Sequence, residues 1–375
     1  MTSVTTNHSS ICWAAVFTGA DQPLQLREFP KPIAQAGEAL VRIECCTICG
    51  SDLHTITGKR KEPTPAILGH EILGVVEEVG KPPLTDISGV SLSVGDRVTW
   101  SVAVSCGSCK LCQTGYPQKC KTLSKYGHEL AEGRTALSGG LAQFILLKAG
   151  SAVMKVSPSL PAEVICPVNC ATATIAAAYR VTGDIDGKNV LIFGAGMLGL
   201  SAAALATSSG AASVTVCDIN QERLKTAQQF GADHTVEAHA DITILKQRLF
   251  ESANLEQFDI ILELLGAPAA ISATAPLAAI GAHIVLVGSV MPVGLIGFDP
   301  EQIVRRWISI HGVHNYAPED LQTAVAFLEQ HHTAYPFAQL VERSFSLDTI
   351  NEAVEYAVEH RPVRIAVKPI AGSQP

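Results

Sequence analysis

Cys106, Cys109, Cys112 and Cys120 stand at the spacing Cys-x2-Cys-x2-Cys-x7-Cys. Closely set thiolates in turns can wrap one tetrahedral ion, and zinc holds thiolate at about 2.3 Å. Four thiolates close the coordination sphere, so this set reads as a structural zinc site with no place for a substrate. An iron–sulfur cluster is the rival reading, because iron also accepts four thiolates. A second constellation is of another kind. Cys49-Gly50-Ser51-Asp52-Leu53-His54 and Gly69-His70-Glu71 bring a thiolate and an imidazole to within a hairpin's length of each other. With one more soft ligand, such a set leaves a coordination position open for water or an alcohol. Cys170, in Asn169-Cys170-Ala171-Thr172-Ala173-Thr174, is the candidate third ligand, and Cys166 is its competitor.

A third signal is Gly194-Ala195-Gly196-Met197-Leu198-Gly199, which follows a β-branched run and opens an Ala/Leu-rich helix. Gly194 allows the tight turn, Gly196 lets a pyrophosphate approach the backbone, and Gly199 lets helix and strand pack closely. The helix N-terminus then faces the phosphate charge. Asp218 ends the next strand, 24 residues after Gly194. A carboxylate there accepts hydrogen bonds from ribose hydroxyls and repels a 2′-phosphate, so NAD is expected rather than NADP. Arg223 argues the other way, since a nearby arginine can serve a 2′-phosphate. Val287, at the end of a later strand, is counted with the cofactor-binding residues.

The elements that must position these groups fall into three textures. Short β-rich runs separated by Gly, Pro and Asp fill Cys12 to Lys148, the pattern of a small barrel or sandwich. From about Pro161, strands (Val190–Phe193, Ser213–Asp218, Phe258–Leu262, His283–Val287) alternate with helices (Met197–Ser209, Gln221–Phe230). Such alternation predicts right-handed βαβ units and a doubly wound parallel sheet, an α/β fold. After about Gly312 come two amphipathic helices, Ala317–His331 and Leu347–His360, and a closing strand, Val363–Lys368.

Composition narrows the classes. The chain has 375 residues, enough for two or three domains, with 47% apolar and 17% charged residues. With 27 Lys and Arg against 35 acids, a net charge of −8, nucleic acid is not an expected partner. Neither is a membrane. The uncharged run Leu264–Phe298 is broken by Gly and Pro, as buried sheet elements are. The first ten residues lack a secretory pattern, and eleven cysteines clustered only once suit metal binding in a reducing cytoplasm.

Taken together and in this order, the motifs and Gly139-Gly140-Leu141-Ala142 resemble those of the zinc-dependent medium-chain alcohol dehydrogenases, from about Trp13 to Val367. The resemblance implies a GroES-like β-barrel catalytic domain over 1–165, carrying the four-cysteine lobe at 104–121. It further implies a Rossmann NAD-binding domain over 166–312 and a C-terminal segment, 313–375, returning to the catalytic domain. Cys49, His70 and Cys170 match the catalytic zinc ligands, and Glu71 the acid close behind the metal, which ligates it in some relatives. Ser51 matches the hydroxyl that takes the alcohol proton, His54 the base that relays it, and Asp52 the carboxylate orienting the ligand histidine. Thr174 matches a residue against the nicotinamide ring, and Arg364 a side chain reaching the pyrophosphate. Gly50 departs from relatives with a basic residue there.

The expected activity is hydride transfer between a small alcohol, or its carbonyl, and NAD, with two zinc ions per chain in a homodimer or homotetramer. Asn169–Thr174 and Gly312–Pro318 look most like dehydrogenases of phosphonate catabolism, which makes a hydroxyalkylphosphonate a candidate substrate. Polyol, amino-alcohol and threonine-type substrates are alternatives, as is a non-catalytic protein that binds zinc and NAD.

Overall fold

The computed structural model describes residues 10–369. Within them the chain packs into two units. The first comprises the chain up to Cys170, Ala317–Val325 and the chain from Phe337; the second comprises Ala171–Tyr316 and Ala326–Pro336.

In the first unit, β-branched and aromatic runs pair into two sheets. The larger runs in the order Val341–Ser346, Arg364–Lys368, Ala39–Ile48, Glu71–Val79, Arg97–Val104, Ser124–Lys125, with Phe144–Leu147 and Ser151–Lys155 paired off this path. Ile11–Phe17, Gln25–Pro30 and Ala66–Ile67 form the smaller sheet. Val41, Ile43, Ile72, Trp100 and Ile145 are buried in the core these sheets enclose. Two registers bear on the chemistry. Thr47 lies opposite Glu71, and Ile365 of the closing strand lies opposite Ile48. The C-terminal strand is thus antiparallel to the strand that ends at the Cys49 turn.

The second unit holds a six-stranded sheet, every pairing of which is parallel. Its order is His234–Glu237, Ser213–Asp218, Asn189–Phe193, Phe258–Glu263, Ala278–Leu286, Ser309–Gly312. Numbered along the chain this is 3-2-1-4-5-6, the doubly wound arrangement, whose switch point lies between Asn189–Phe193 and Phe258–Glu263. The strand expected at His283 begins five residues earlier, at Ala278, through a shifted register against Phe258–Glu263. The Ala326–Pro336 stretch stays with this unit, where the Tyr335 hydroxyl meets Ser208 at 3.0 Å and its ring stacks on Phe230.

The uncharged run Leu264–Phe298 contains the helix Pro268–Leu277, mostly buried, and the strand Ala278–Leu286, buried at Ala278, Ala282, Ile284 and Val285. Among the described residues no single helix is long and apolar enough to cross a membrane.

Candidate active site

Cys49 sits at the N-cap of the short helix Gly50–Ile56, and Asp52, three residues on, folds back to accept its amide at 2.9 Å. This reciprocal turn fixes where the thiol points. The other Asp52 oxygen lies 3.2 Å from His70 Nδ1. With its proton held at Nδ1, the imidazole presents Nε2 as a ligand atom. Burial pushes His70 down, but Asp52 and then Cys49 outweigh it and favour a cation at this ring.

Cys49, His70, Glu71 and Cys170 each bring a ligand atom within 4.8 Å of all the others. The set is two sulfurs, one nitrogen and one oxygen, almost wholly buried, a donor combination suited to zinc. A hydrogen bond from Cys170, with help from Arg364 and His70, holds the Cys49 thiol well below its usual range. The site therefore already favours a thiolate.

Between the two competing cysteines the backbone discriminates. The turn Cys166–Asn169 directs the Cys166 sulfur to the carbonyls of Cys45 and Glu71, at 3.3 and 3.2 Å. Burial pushes its thiol up. Cys170, just past this turn, joins the donor cluster instead. Asn169 anchors the turn, donating its amide to the carbonyls of His70 and Trp100 at 3.0 and 2.8 Å.

The resemblance makes Arg364 a side chain that reaches the pyrophosphate; in the structure its guanidinium engages the metal-ligand cluster. Nε and Nη2 both donate to Glu71 at 2.8 Å, Nη2 also faces Cys49 Sγ at 3.5 Å, and Nη1 donates to Val363 O. The Thr47 hydroxyl adds a third donor to Glu71 at 2.6 Å. Glu71 is fully buried, and burial pushes its carboxyl up while Arg364 opposes this. A buried carboxylate needs a counter-charge, and strand register brings Arg364 to it.

Ser51 Oγ lies 3.5 Å from His70 Nε2, beside the ligand-facing nitrogen. His54 is half-buried one turn further along the same helix. Sequence reasoning missed the packing of His128 against this site: its ring centroid lies 5.2 Å from that of His70.

In the four-cysteine lobe, Cys109 Sγ lies 3.5 Å from Cys112 and 3.9 Å from Cys120, and Cys106 lies 4.0 Å from Cys112. Two thiolates on one tetrahedral ion would stand about 3.8 Å apart, so this spacing fits a single ion and not a larger cluster. The Ser108 hydroxyl and nearby amides lower the Cys106 thiol to about 5.

In the second unit the glycine motif joins Asn189–Phe193 to the helix Met197–Ser208. A Cβ on Gly199 would stand 1.8 Å from the Gly194 carbonyl, so only glycine allows this closeness. Asp218, 4% exposed, accepts from Ala195 N at 2.7 Å and Asn220 N at 2.9 Å, one bond per oxygen. Each oxygen keeps acceptor capacity. Met197 and Val287 are buried, whereas Thr174, Leu198 and Arg223 are half-buried.

Comparison with known proteins agrees with this geometry. Residues 35–158 match the alcohol dehydrogenase GroES-like domain, and residues 198–330 match the zinc-binding dehydrogenase family. The chain is 28% identical over 342 residues to an L-threonine 3-dehydrogenase of Shewanella frigidimarina, covering 89% of this chain and 93% of that one. It is 38% identical over 232 residues to an alcohol dehydrogenase of Geobacillus stearothermophilus, covering 61% and 64% of the two. A crystal structure of an alcohol dehydrogenase from Thermotoga maritima superposes with a TM-score of 0.89 at 28% identity, covering 96% of this chain and 100% of that one. The chain belongs to the zinc-dependent medium-chain alcohol dehydrogenases, which move a hydride between an alcohol, or its carbonyl, and a nicotinamide cofactor.

Proposed function

We propose that this enzyme oxidises a small alcohol with NAD, with a hydroxyalkylphosphonate as the leading substrate, and that it holds two zinc ions per chain. The position of Ser51 beside His70 Nε2 carries the catalytic reading. Cys49, His70 and Cys170 hold the catalytic ion with Glu71 close behind it, leaving a position open for the alcohol, and Cys106, Cys109, Cys112 and Cys120 hold the structural one. When bound, the catalytic zinc supplies Lewis acidity to the alcohol oxygen and the nicotinamide supplies the hydride acceptor. Ser51 accepts the hydroxyl proton, and His54, on the same helix face three residues on, passes it towards solvent. Asp52 keeps His70 in the ligating tautomer. Glu71 and Arg364 form a charge pair directly behind the ligands.

For the cofactor we assign Gly194, Gly196, Met197, Leu198 and Gly199 to the pyrophosphate turn, and Asp218, with Arg223 nearby, to the ribose. Thr174 and Val287 are assigned to the nicotinamide. Asp218→Ser is expected to raise the NADP/NAD ratio of kcat/KM on the order of a hundredfold, the scale of one like-charge contact. A native preference for NADPH would remove the assignment.

Cys112→Ser is expected to lower zinc by about one ion per chain and to reduce thermal stability, because a closed site couples binding to folding. Two zinc ions retained in this variant would contradict the structural site.

A threonine-type substrate is the second reading, favoured by the L-threonine 3-dehydrogenase relatives. Among the described residues no cysteine forms a disulfide, which supports a reducing, cytoplasmic location. The exposed side chains of Val290, Leu295 and Trp307 on the second unit support a homodimer or homotetramer.

A further inference from the structure

In the second unit the strand Phe258–Glu263 ends on a carboxylate with no part in the chemistry above. Glu263 is fully buried, and among the described residues no cation faces it. Its Oε1 accepts from the amides of Leu265 and Gly266 at 2.9 and 2.8 Å. Its Oε2 is buried with no hydrogen-bond partner among the described residues. Burial pushes the carboxyl up, and the amides of Leu265, Gly266 and Ala267 oppose this only in part. A carboxylate taken from water without a counter-charge is costly, so stability alone would favour an apolar side chain here.

Glu263 stands at the switch point of the sheet. It lies opposite Phe193 across a parallel pair, and Phe193 runs directly into the glycine motif at Gly194. Ligands of doubly wound sheets bind outside the carboxyl ends of the strands at this point. By drawing two successive amides onto one oxygen, Glu263 curls loop 264–267 back over the strand ends. The loop then meets both neighbouring strands. The Leu264 amide donates to the Phe193 carbonyl at 3.1 Å. A Cβ on Gly194 would stand 2.8 Å from Leu265 Cδ2, so the Leu265 side chain lies directly on the nucleotide turn. On the other side, the amides of Val287 and Gly288 donate to the Glu263 carbonyl at 2.9 and 3.0 Å. A Cβ on Gly288 would stand 2.4 Å from the Leu265 nitrogen, so that loop also presses on Leu265. Leu265 is thus fixed at its backbone, yet 47% exposed. A held apolar side chain beside a phosphate-binding turn has the composition of a ligand site.

We infer that Glu263 is a positioning residue for the nicotinamide dinucleotide: it braces loop 264–267 so that Leu265 lies against the bound cofactor beside Gly194. This deepens the cofactor reading above and rests on it for the identity of the ligand. Glu263 acts through Leu265, because it is itself closed off from solvent. Its carbonyl holds Val287, assigned above to the nicotinamide, in the same way. One residue therefore sets two walls of the cofactor site, the first through its side chain and the second through its backbone.

NADH and NADPH binding to the zinc-loaded protein is measured by fluorescence titration. Glu263→Met fills the same space without an oxygen acceptor. It is expected to raise the Kd of the preferred cofactor about tenfold, the scale of bonds lost from a charged acceptor. KM for the oxidised cofactor rises with it, by more than kcat falls, while zinc content holds. Glu263→Gln, whose amide oxygen can accept the same two amides, stays within about threefold of the unaltered protein. Leu265→Ala weakens binding to a similar extent as Glu263→Met. The double variant loses little more than Leu265→Ala alone, because one residue acts through the other. A purely structural role, holding the start of the helix Pro268–Leu277, lowers the thermal midpoint and leaves cofactor affinity unchanged. That result overturns the brace, as do an additive double variant and an equal loss in Glu263→Gln and Glu263→Met. If Glu263→Met does not fold, Leu265→Ala, at an exposed side chain, still folds, and unchanged affinity there overturns the inference by itself. If the unaltered protein binds neither dinucleotide, the cofactor reading falls and the brace with it.

Discussion

Arg364→Ala is expected to destabilise the fold by about 3–5 kcal/mol, the cost of leaving one member of a buried ion pair without the other. Glu71 is fully buried and meets two guanidinium nitrogens, so the substitution leaves its carboxylate with the Thr47 hydroxyl alone among these three donors. The same change removes a cation from beside the Cys49 sulfur. Denaturant unfolding of the zinc-loaded protein reads the loss as a fall in midpoint at unchanged slope. Combining Arg364→Met with Glu71→Gln should recover much of it, because no uncompensated charge then remains inside. A loss below about 1 kcal/mol in the single variant would place the pair outside the structural core of the site.

Ser51→Ala is expected to lower kcat by about 10²–10⁴-fold, the range for removing a positioned proton acceptor. Zinc content should not change, since Ser51 is outside the donor set and its hydroxyl is a neighbour of His70 Nε2, at 3.5 Å, rather than a ligand. KM should move little if the hydroxyl acts in the transition state more than in the ground state. Ser51→Thr, which keeps a hydroxyl, should retain a substantial part of the rate. Near-normal turnover in the alanine variant would take Ser51 out of the proton path and leave the proposed chemistry without its first acceptor.

Sequence and structure divide the site by distance along the chain. The four cysteines of the lobe span 15 residues, from Cys106 to Cys120, and a local turn can gather them wherever the lobe sits. The glycine motif is likewise local: Gly194, Gly199 and the opening of the helix are set by neighbouring backbone, and Asp218 follows at the end of the adjacent strand. Cys49 and His70 were readable as chemical types because each sits in a short, distinctive run. The choice between Cys166 and Cys170 was not readable. It depends on one tight turn that aims the first at two carbonyls and leaves the second for the cluster.

The amino-acid order alone determined the metal chemistry, the nucleotide turn and the α/β class, because each rests on residue types at short spacings or on hydrophobic periodicity. Only the tertiary structure decided which distant charges meet. Arg364 reaches Glu71 across 293 positions, and His128 reaches Glu62 across 66. Such meetings follow from strand register and from the closeness a glycine permits, and neither leaves a periodic mark in the chain.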